Sequence, residues 1–489
     1  MQDLRTFYGP NAGYVLELYE RYLQDPASVD AATRAIFDTW SLEKPPAAAP
    51  VEAPTIEQAP VDVSRVVAAS AFAHAIRERG HLAAHLDPLG TPPPGDPALS
   101  PETHGITEED LALLPPNVVG GHAAEDVSNA LEAIHALRAM YSGTISYQFD
   151  QVKGAVERGW LRDAVGLNLY RKPLTPEASR KLLRRLIQVG EFEHYLHQTF
   201  PGQKRFSIEG TDVLVPMLDE IIQAAANAGT QEVIMGMAHR GRLNVLAHIL
   251  DKPYPVILSE FGHTDVAEAI SLTDDWGFGW TGDVKYHLGA EHVLGEGEEV
   301  NMRIVLPPNP SHLEFVNPVV EGMTRASQEV CDIPGEPELH VDYTLPILIH
   351  GDAAFPGEGI VAETLNLWNL AGYCVGGTIH IILNNQLGFT TEPSESRSTQ
   401  FASDLAKGFE IPIIHVNADD PEAALTAVRL AHAYRDRFHR DILIDLIGYR
   451  RWGHNEGDEP AFTQPQMYEI IRKHPTVREL YAQRLIQQG

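Results

Sequence analysis

Two cysteines in 489 residues, Cys331 and Cys374, exclude a disulfide framework, and neither belongs to a CxxC pair that would seat a structural zinc. Both are expected as reduced, partly buried thiols. Basic residues are also scarce: 37 lysines and arginines face 67 acids, a net charge of -30. That balance argues against a nonspecific nucleic-acid surface and against binding to an anionic membrane. No apolar run approaches the roughly 18 residues of a membrane span. The first residues, MQDLRTFYGP, carry neither a signal-peptide core nor Arg/Ser-rich transit character. The expected compartment is the cytoplasm. GxxxxGK[ST], HExxH and internal repeats are absent.

What is present divides the chain. Residues 11–40 carry apolar residues at helical spacing in two pieces parted by Asp25-Pro26, which predicts a small helical segment within 1–42. EKPPAAAPVEAPTIEQAP follows, rich in proline and alanine, and reads as an extended linker over 43–63. Helical patterns, interrupted at TPPPGDP, occupy 64–205. From 206 to 489 short apolar runs (EVIMGMA, MRIVLP, LPILIHGD, GTIHIILNNQ, IPIIHVNAD, DILIDLIGYR) alternate with helical stretches. Runs of this length ending in glycine or polar residues suit parallel strands covered on both faces. The expected fold is a doubly wound α/β domain with a mostly parallel sheet, preceded by the helical region and the tethered N-terminal segment. Ligands on such sheets sit beyond the carboxyl ends of the strands, where HGD, NNQ, NADD and YRRWGHNEGDEP fall.

Asp352 ends one such strand and Asn384-Asn385 end the next, so Asp352 and Asn385 are one strand-helix-strand crossover apart. A carboxylate, an amide oxygen and the carbonyl of Leu387 would suit magnesium, which takes about six oxygens. The alternative is that Asp352 caps a helix while the asparagines make a turn. Gly357, Gly359 and Ala362 also match GxGxxA, but the acid such a nicotinamide site needs about 20 residues later is missing. Glu191 and His194 form ExxH on an expected helix, where a solvated face is the simpler reading than a di-iron site.

GMAHRGRLNVL, TGDVKYHLGA, PPNPSHLEFVNPVVEG, HGDAAFPGEGIVAETLNL, NNQLGFTT, HVNADDPEA and YRRWGHNEGDEPAFTQPQMY occur in this order. Over about residues 180–480 the chain thereby resembles the decarboxylating, thiamine-diphosphate-dependent first component of the 2-oxoglutarate dehydrogenase complex. The resemblance implies a thiamine-diphosphate-binding fold and magnesium held by Asp352, Asn385 and the carbonyl of Leu387. It implies cofactor contacts from Arg240, Ser311, Leu313, Asp352, Ala353, Ala354 and Asn385. It further implies that His239 and His287 are catalytic, and that these two face the 2-oxo acid with Arg240 and Ser311. His312 and His454 lie in matching motifs and stay open between site and structural roles.

The activity so implied is oxidative decarboxylation of 2-oxoglutarate, with succinyl transfer to the lipoyl group of a dihydrolipoyl succinyltransferase. A homodimer is expected. YVLELYERYLQDPASVD is similar to the family's N-terminal docking segment. A 2-oxoadipate enzyme and a noncatalytic assembly or regulatory homologue are the alternatives. The chain departs from the family pattern at Ser146–Asp150, after YSGTI, and at Thr211-Asp212, where Gly-Glu is usual. The family's chains continue into a second α/β domain, so a fragment or one subunit of a split enzyme, incomplete alone, is expected.

Overall fold

The computed structural model describes residues 18–19, 21–38, 62–262, 284–295, 302–332, 334–335 and 337–489. Two compact units result, Met1–Val61 and Asp62–Gly489. In the first, Asp25 accepts from the Ala27 N–H and starts a short turn at Pro26–Ser28, and Asp30 caps the helix Ala31–Phe37. Tyr19, Val29 and Phe37 form its small core. The two helical pieces therefore part at Asp25-Pro26 as the sequence predicts. The proline-rich linker lies outside the described residues except for Asp62 and Val63, where the second unit's first helix, Val63–Arg79, starts under an Asp62 cap.

The strands of the second unit are β1 (Ile145–Gln148), β2 (Glu232–Met237), β3 (Ala290–Leu294), β4 (Met302–Leu306), β5 (Glu329–Val330), β6 (Glu338–Leu339), β7 (Thr344–Gly351), β8 (Ile379–Asn384), β9 (Ile413–Asn417) and β10 (Ile442–Ile447). Eight of them form one sheet in the order β1-β9-β10-β8-β7-β2-β4-β3, and β5 and β6 pair separately. The six inner strands are parallel, while β1 and β3 close the edges antiparallel. The inner six are the six apolar runs read from the sequence. Both edges escaped that reading, and β1 lies inside the stretch assigned to helices.

Alternation along each strand feeds two cores. Ile347, Ile349, Ile381, Leu383, Ile444 and Leu446 pack with the helices Leu214–Ala228 and Pro421–Phe438 on one face. On the other, Ile234, Val305 and Leu348 meet the helix Val316–Gln328, and Ile382, Ile413 and Leu443 meet the segments 354–365 and 402–409. Full burial of one such side chain contributes about 1.5–3 kcal/mol. Asp-Pro at 420–421 starts its helix: Asp420 accepts from the Ala423 N–H and Pro421 takes the first helical position, where no N–H is needed.

The turn Ser207–Asp212, which leads into the helix Leu214–Ala228, contains one of the departures from the family pattern. Asp212 is buried and accepts a hydrogen bond from the Gly210 N–H at 2.7 Å. Burial first and the nearby Glu209 second push its carboxyl up to about 7. The folded state therefore holds a proton that the unfolded chain releases near 3.8. The stability this contributes is present below that value and is lost as pH rises through about 7. Asp212→Asn, which never ionises, is expected to raise the urea midpoint at pH 8, through an unfolding free energy larger by up to about 4 kcal/mol at about 1.4 kcal/mol per pH unit. The gain should vanish at pH 4. Matching midpoints for the two proteins at pH 8 would contradict this.

Candidate functional site

Register brings the first two ligand candidates together. Gly351 of β7 pairs with Leu383 of β8, so Asp352 and Asn384-Asn385 leave the sheet side by side at its carboxyl edge. Asp352 caps no helix. The turn Ala354–Gly357 and the helix Gly359–Leu365 start at Ala353 and Glu358, neither with a side-chain cap. The capping alternative therefore falls. So does the dinucleotide fingerprint, because Gly357 and Gly359 sit within helical turns rather than in a phosphate loop.

Asp352 is buried, and desolvation pushes its carboxyl up to about 7 against the opposing field of Arg397. The two asparagines divide their work. Asn384 donates to Asp445 at 2.9 Å, whereas Asn385 Oδ1 is buried with no hydrogen-bond partner among the described residues. A buried carboxylate beside an orphaned amide oxygen is a set that a divalent cation would satisfy. Among the described residues no group of three His, Cys, Asp or Glu side chains is arranged for a metal, so a cation here would draw on amide and carbonyl oxygens too. Gly388, just past Leu387, lets this loop approach the site, since a Cβ there would lie 2.6 Å from that of Ala353.

His239, Arg240, Leu313, Asp352, Ala353, Ala354, Asn385 and Leu387 all line one cavity of about 90 Å³. Glu314, Phe389, Arg450 and His454 also line it. His239 and His454 lie with ring centroids 5.7 Å apart, and the Phe206 ring packs on both. Burial, then the Arg240 charge, holds His239 down to about 2 and His454 down to about 4, so both are neutral hydrogen-bonding groups at neutral pH. Arg240 is partly spent, donating to the carbonyls of Ser207 at 3.1 Å and His454 at 2.9 Å. His287 is buried outside the cavity wall. Ser311 and His312 are exposed, and His312 packs on Phe315. Part of the TGDVKYHLGA motif, residues 281–283, lies outside the described residues. Glu191 pairs with Arg478 on an exposed helix face, which leaves ExxH a surface feature. Both cysteines are free; Cys374 is partly buried as expected, whereas Cys331, directly after β5, is exposed.

Three residues escaped the sequence reading. Glu314 is buried in a left-handed conformation (φ +67°). Its carboxylate faces His350 Nδ1 at 2.7 Å and accepts from Asn317 at 2.7 Å and from the Gly351 N–H at 3.3 Å, fixing the strand end that carries Asp352. Such strain in a non-glycine residue gathers at functional sites. Arg397 places its charge on Asp352. Arg450 turns a buried guanidinium toward the cavity. The quoted motifs contain Glu314 and Arg450, but only folding shows their partners.

Residues 209–489 match the family model described as Dehydrogenase E1 component, and residues 6–41 match the one described as 2-oxoglutarate dehydrogenase N-terminus. The chain is 53% identical over 489 residues to the 2-oxoglutarate dehydrogenase E1 component of Bacillus velezensis, covering 99% of this chain and 52% of that protein. The namesake proteins of Bacillus subtilis (52% identical over 488 residues, 99% of this chain and 52% of the relative) and Geobacillus kaustophilus (51% over 503, 100% and 52%) are similar. The chain spans about half the length of the curated relatives it matches.

Proposed function

Since the chain belongs to the Dehydrogenase E1 component family, we propose that it is the diphosphate- and magnesium-binding part of an enzyme that oxidatively decarboxylates 2-oxoglutarate and passes the succinyl group to a lipoyl arm. The observation that carries this reading is the buried pair of Asp352 and the unpartnered Asn385 Oδ1 at the carboxyl edge of β7 and β8. Asp352, Asn385 and the Leu387 carbonyl would hold magnesium, with Leu313, Ala353 and Ala354 against thiamine diphosphate. When bound, that cofactor supplies a nucleophilic carbanion and a sink for the electrons that departing carbon dioxide leaves behind.

The chain's own residues bind and orient. Neutral His239 and His454 offer hydrogen bonds to the 2-oxo acid without imposing a charge on the reacting carbon. His287 is buried outside the cavity wall, and we assign it with them to the 2-oxo acid. Arg240 holds the loop carrying His454 against residue 207, so the two histidines meet across the cavity. The match at residues 6–41 supports docking of the N-terminal segment on a lipoyl-bearing acyltransferase, and we assign the assembled enzyme to the cytoplasm as a homodimer. Purified protein should bind thiamine diphosphate only with magnesium present and release carbon dioxide from 2-oxoglutarate when assayed with the remainder of the enzyme. Absence of magnesium-dependent cofactor binding would refute the reading.

A further inference from the structure

Arg450 follows β10, and its side chain is 2% exposed. Nε donates to the Trp452 carbonyl at 3.1 Å and faces the Tyr468 hydroxyl at 3.4 Å, while Nη2 donates to the Phe389 carbonyl at 3.0 Å. These contacts fix the guanidinium plane. Nη1 is buried and has no hydrogen-bond partner among the described residues, although Arg450 lines the cavity that contains His239 and His454. A permanently charged group in that state is completed by an anionic oxygen supplied from outside the chain.

Two anions belong to the proposed reaction, the cofactor's diphosphate and the carboxylates of the 2-oxo acid. The first belongs at Asp352 and Asn385, where the charge of Arg397 is felt. Arg450 holds the carbonyls of Trp452 and Phe389, and the Phe389 ring packs on His454 with centroids 4.8 Å apart, which places the guanidinium on the side of the cavity given to the substrate. Of the substrate's two carboxylates, the one beside the keto group leaves as carbon dioxide, and a fixed cation on it would stabilise the ground state and oppose its loss. The distal carboxylate keeps its charge throughout. Arg240 and Arg450 each commit two nitrogens to the protein, but of the two only Arg450 keeps a buried nitrogen without a partner among the described residues, which makes it the better-placed cation.

We propose that Arg450 Nη1 receives the distal carboxylate of the substrate and so selects dicarboxylic over monocarboxylic 2-oxo acids. The proposal rests on the reading of this cavity as a 2-oxo acid site. Its test is the affinity of the purified chain for 2-oxoglutarate and for 2-oxopentanoate, which replaces the distal carboxylate by a methyl group, measured without magnesium or cofactor. The native protein should favour 2-oxoglutarate at least tenfold. Arg450→Gln should lower the affinity for 2-oxoglutarate at least tenfold and change that for 2-oxopentanoate less than twofold. Arg450→Lys keeps the charge but not the planar fork, and should lose at least threefold of the preference while folding normally by circular dichroism; if the glutamine variant does not fold, this one decides. No preference in the native protein, an intact preference in the variant that folds, or equal losses for both acids would overturn the proposal. Magnesium-dependent thiamine diphosphate binding is measured in parallel. A native protein that binds no cofactor refutes the cofactor reading while the acid preference still decides Arg450, and a variant that loses cofactor binding but keeps the preference assigns Nη1 to the diphosphate instead.

Discussion

Asp352→Ala is expected to abolish magnesium-dependent binding of thiamine diphosphate while making the ligand-free protein more stable. The two effects share one cause. Asp352 is a buried carboxylate without a side-chain donor, so the folded protein bears its desolvation until a cation arrives, and its carboxyl is pushed up to about 7. Alanine removes that cost and with it the anionic ligand of the set. A hard divalent ion does not bind usefully to one amide and one carbonyl oxygen. The cofactor's affinity should fall at least a hundredfold, about 2.7 kcal/mol. The unfolding free energy from urea at pH 8 should rise by on the order of 1 kcal/mol after allowing for the small void. Titration of tryptophan fluorescence with cofactor, with and without magnesium, reads the first effect and equilibrium unfolding the second. Undiminished cofactor affinity would remove Asp352 from the metal site, and a large loss of stability would show it to be structural.

The second large effect lies behind the histidines. Arg205, with its side chain 1% exposed, meets Glu193 at 3.1 Å, Glu209 at 3.7 Å and Glu456 at 3.8 Å. Glu456 also accepts the backbone N–H groups of Arg205, Phe206 and Ser207, which ties the loop after β10 to the segment that packs Phe206 on His239. Arg205→Met leaves three carboxylates around a vacated cation, and breaking such a buried set costs about 3–5 kcal/mol. Burial already raises Glu193, with Arg205 opposing it. Without the arginine the Glu193 value in the folded state climbs further above the unfolded one, so the stability this group contributes is present at low pH and lost as pH rises. The variant's deficit in the urea midpoint should therefore be smaller at pH 5 than at pH 8, and Glu193→Gln added to it should restore part of the loss. Equal deficits at both pH values would assign the effect to packing.

The six inner strands were legible because each is buried on both faces and so appears as an unbroken apolar run. The edges were not. In β1 the sequence Ile145-Ser146-Tyr147-Gln148 mixes polar and apolar residues, since Gln148 serves a buried chain of hydrogen bonds to His81 and His415. β3 is half exposed, with Glu291 and Val293 toward solvent. The metal candidates were legible as Asp352 and Asn385 because strand ends announce themselves by a change from apolar to polar residues. The supports were hidden for a different reason. Arg450 and Arg240 spend their donors on backbone carbonyls, which leave no mark in side-chain identity, and Arg205 meets Glu456 from 251 positions away.

The edge pairing of β1 with β9 also bears on how the chain is made. Gln148 pairs with Ile413 and Ile145 with Val416, so the partner of β1 is synthesised more than 260 residues later. At the usual ribosomal pace of about 5–20 residues per second, β1 waits roughly ten seconds to a minute for β9. Through that interval Ile145, Tyr147 and Phe149, buried in the finished molecule, have no sheet to join. The segment carrying β1 thus emerges early and completes its attachment late. At this edge, the order of birth and the order of assembly run in opposite directions.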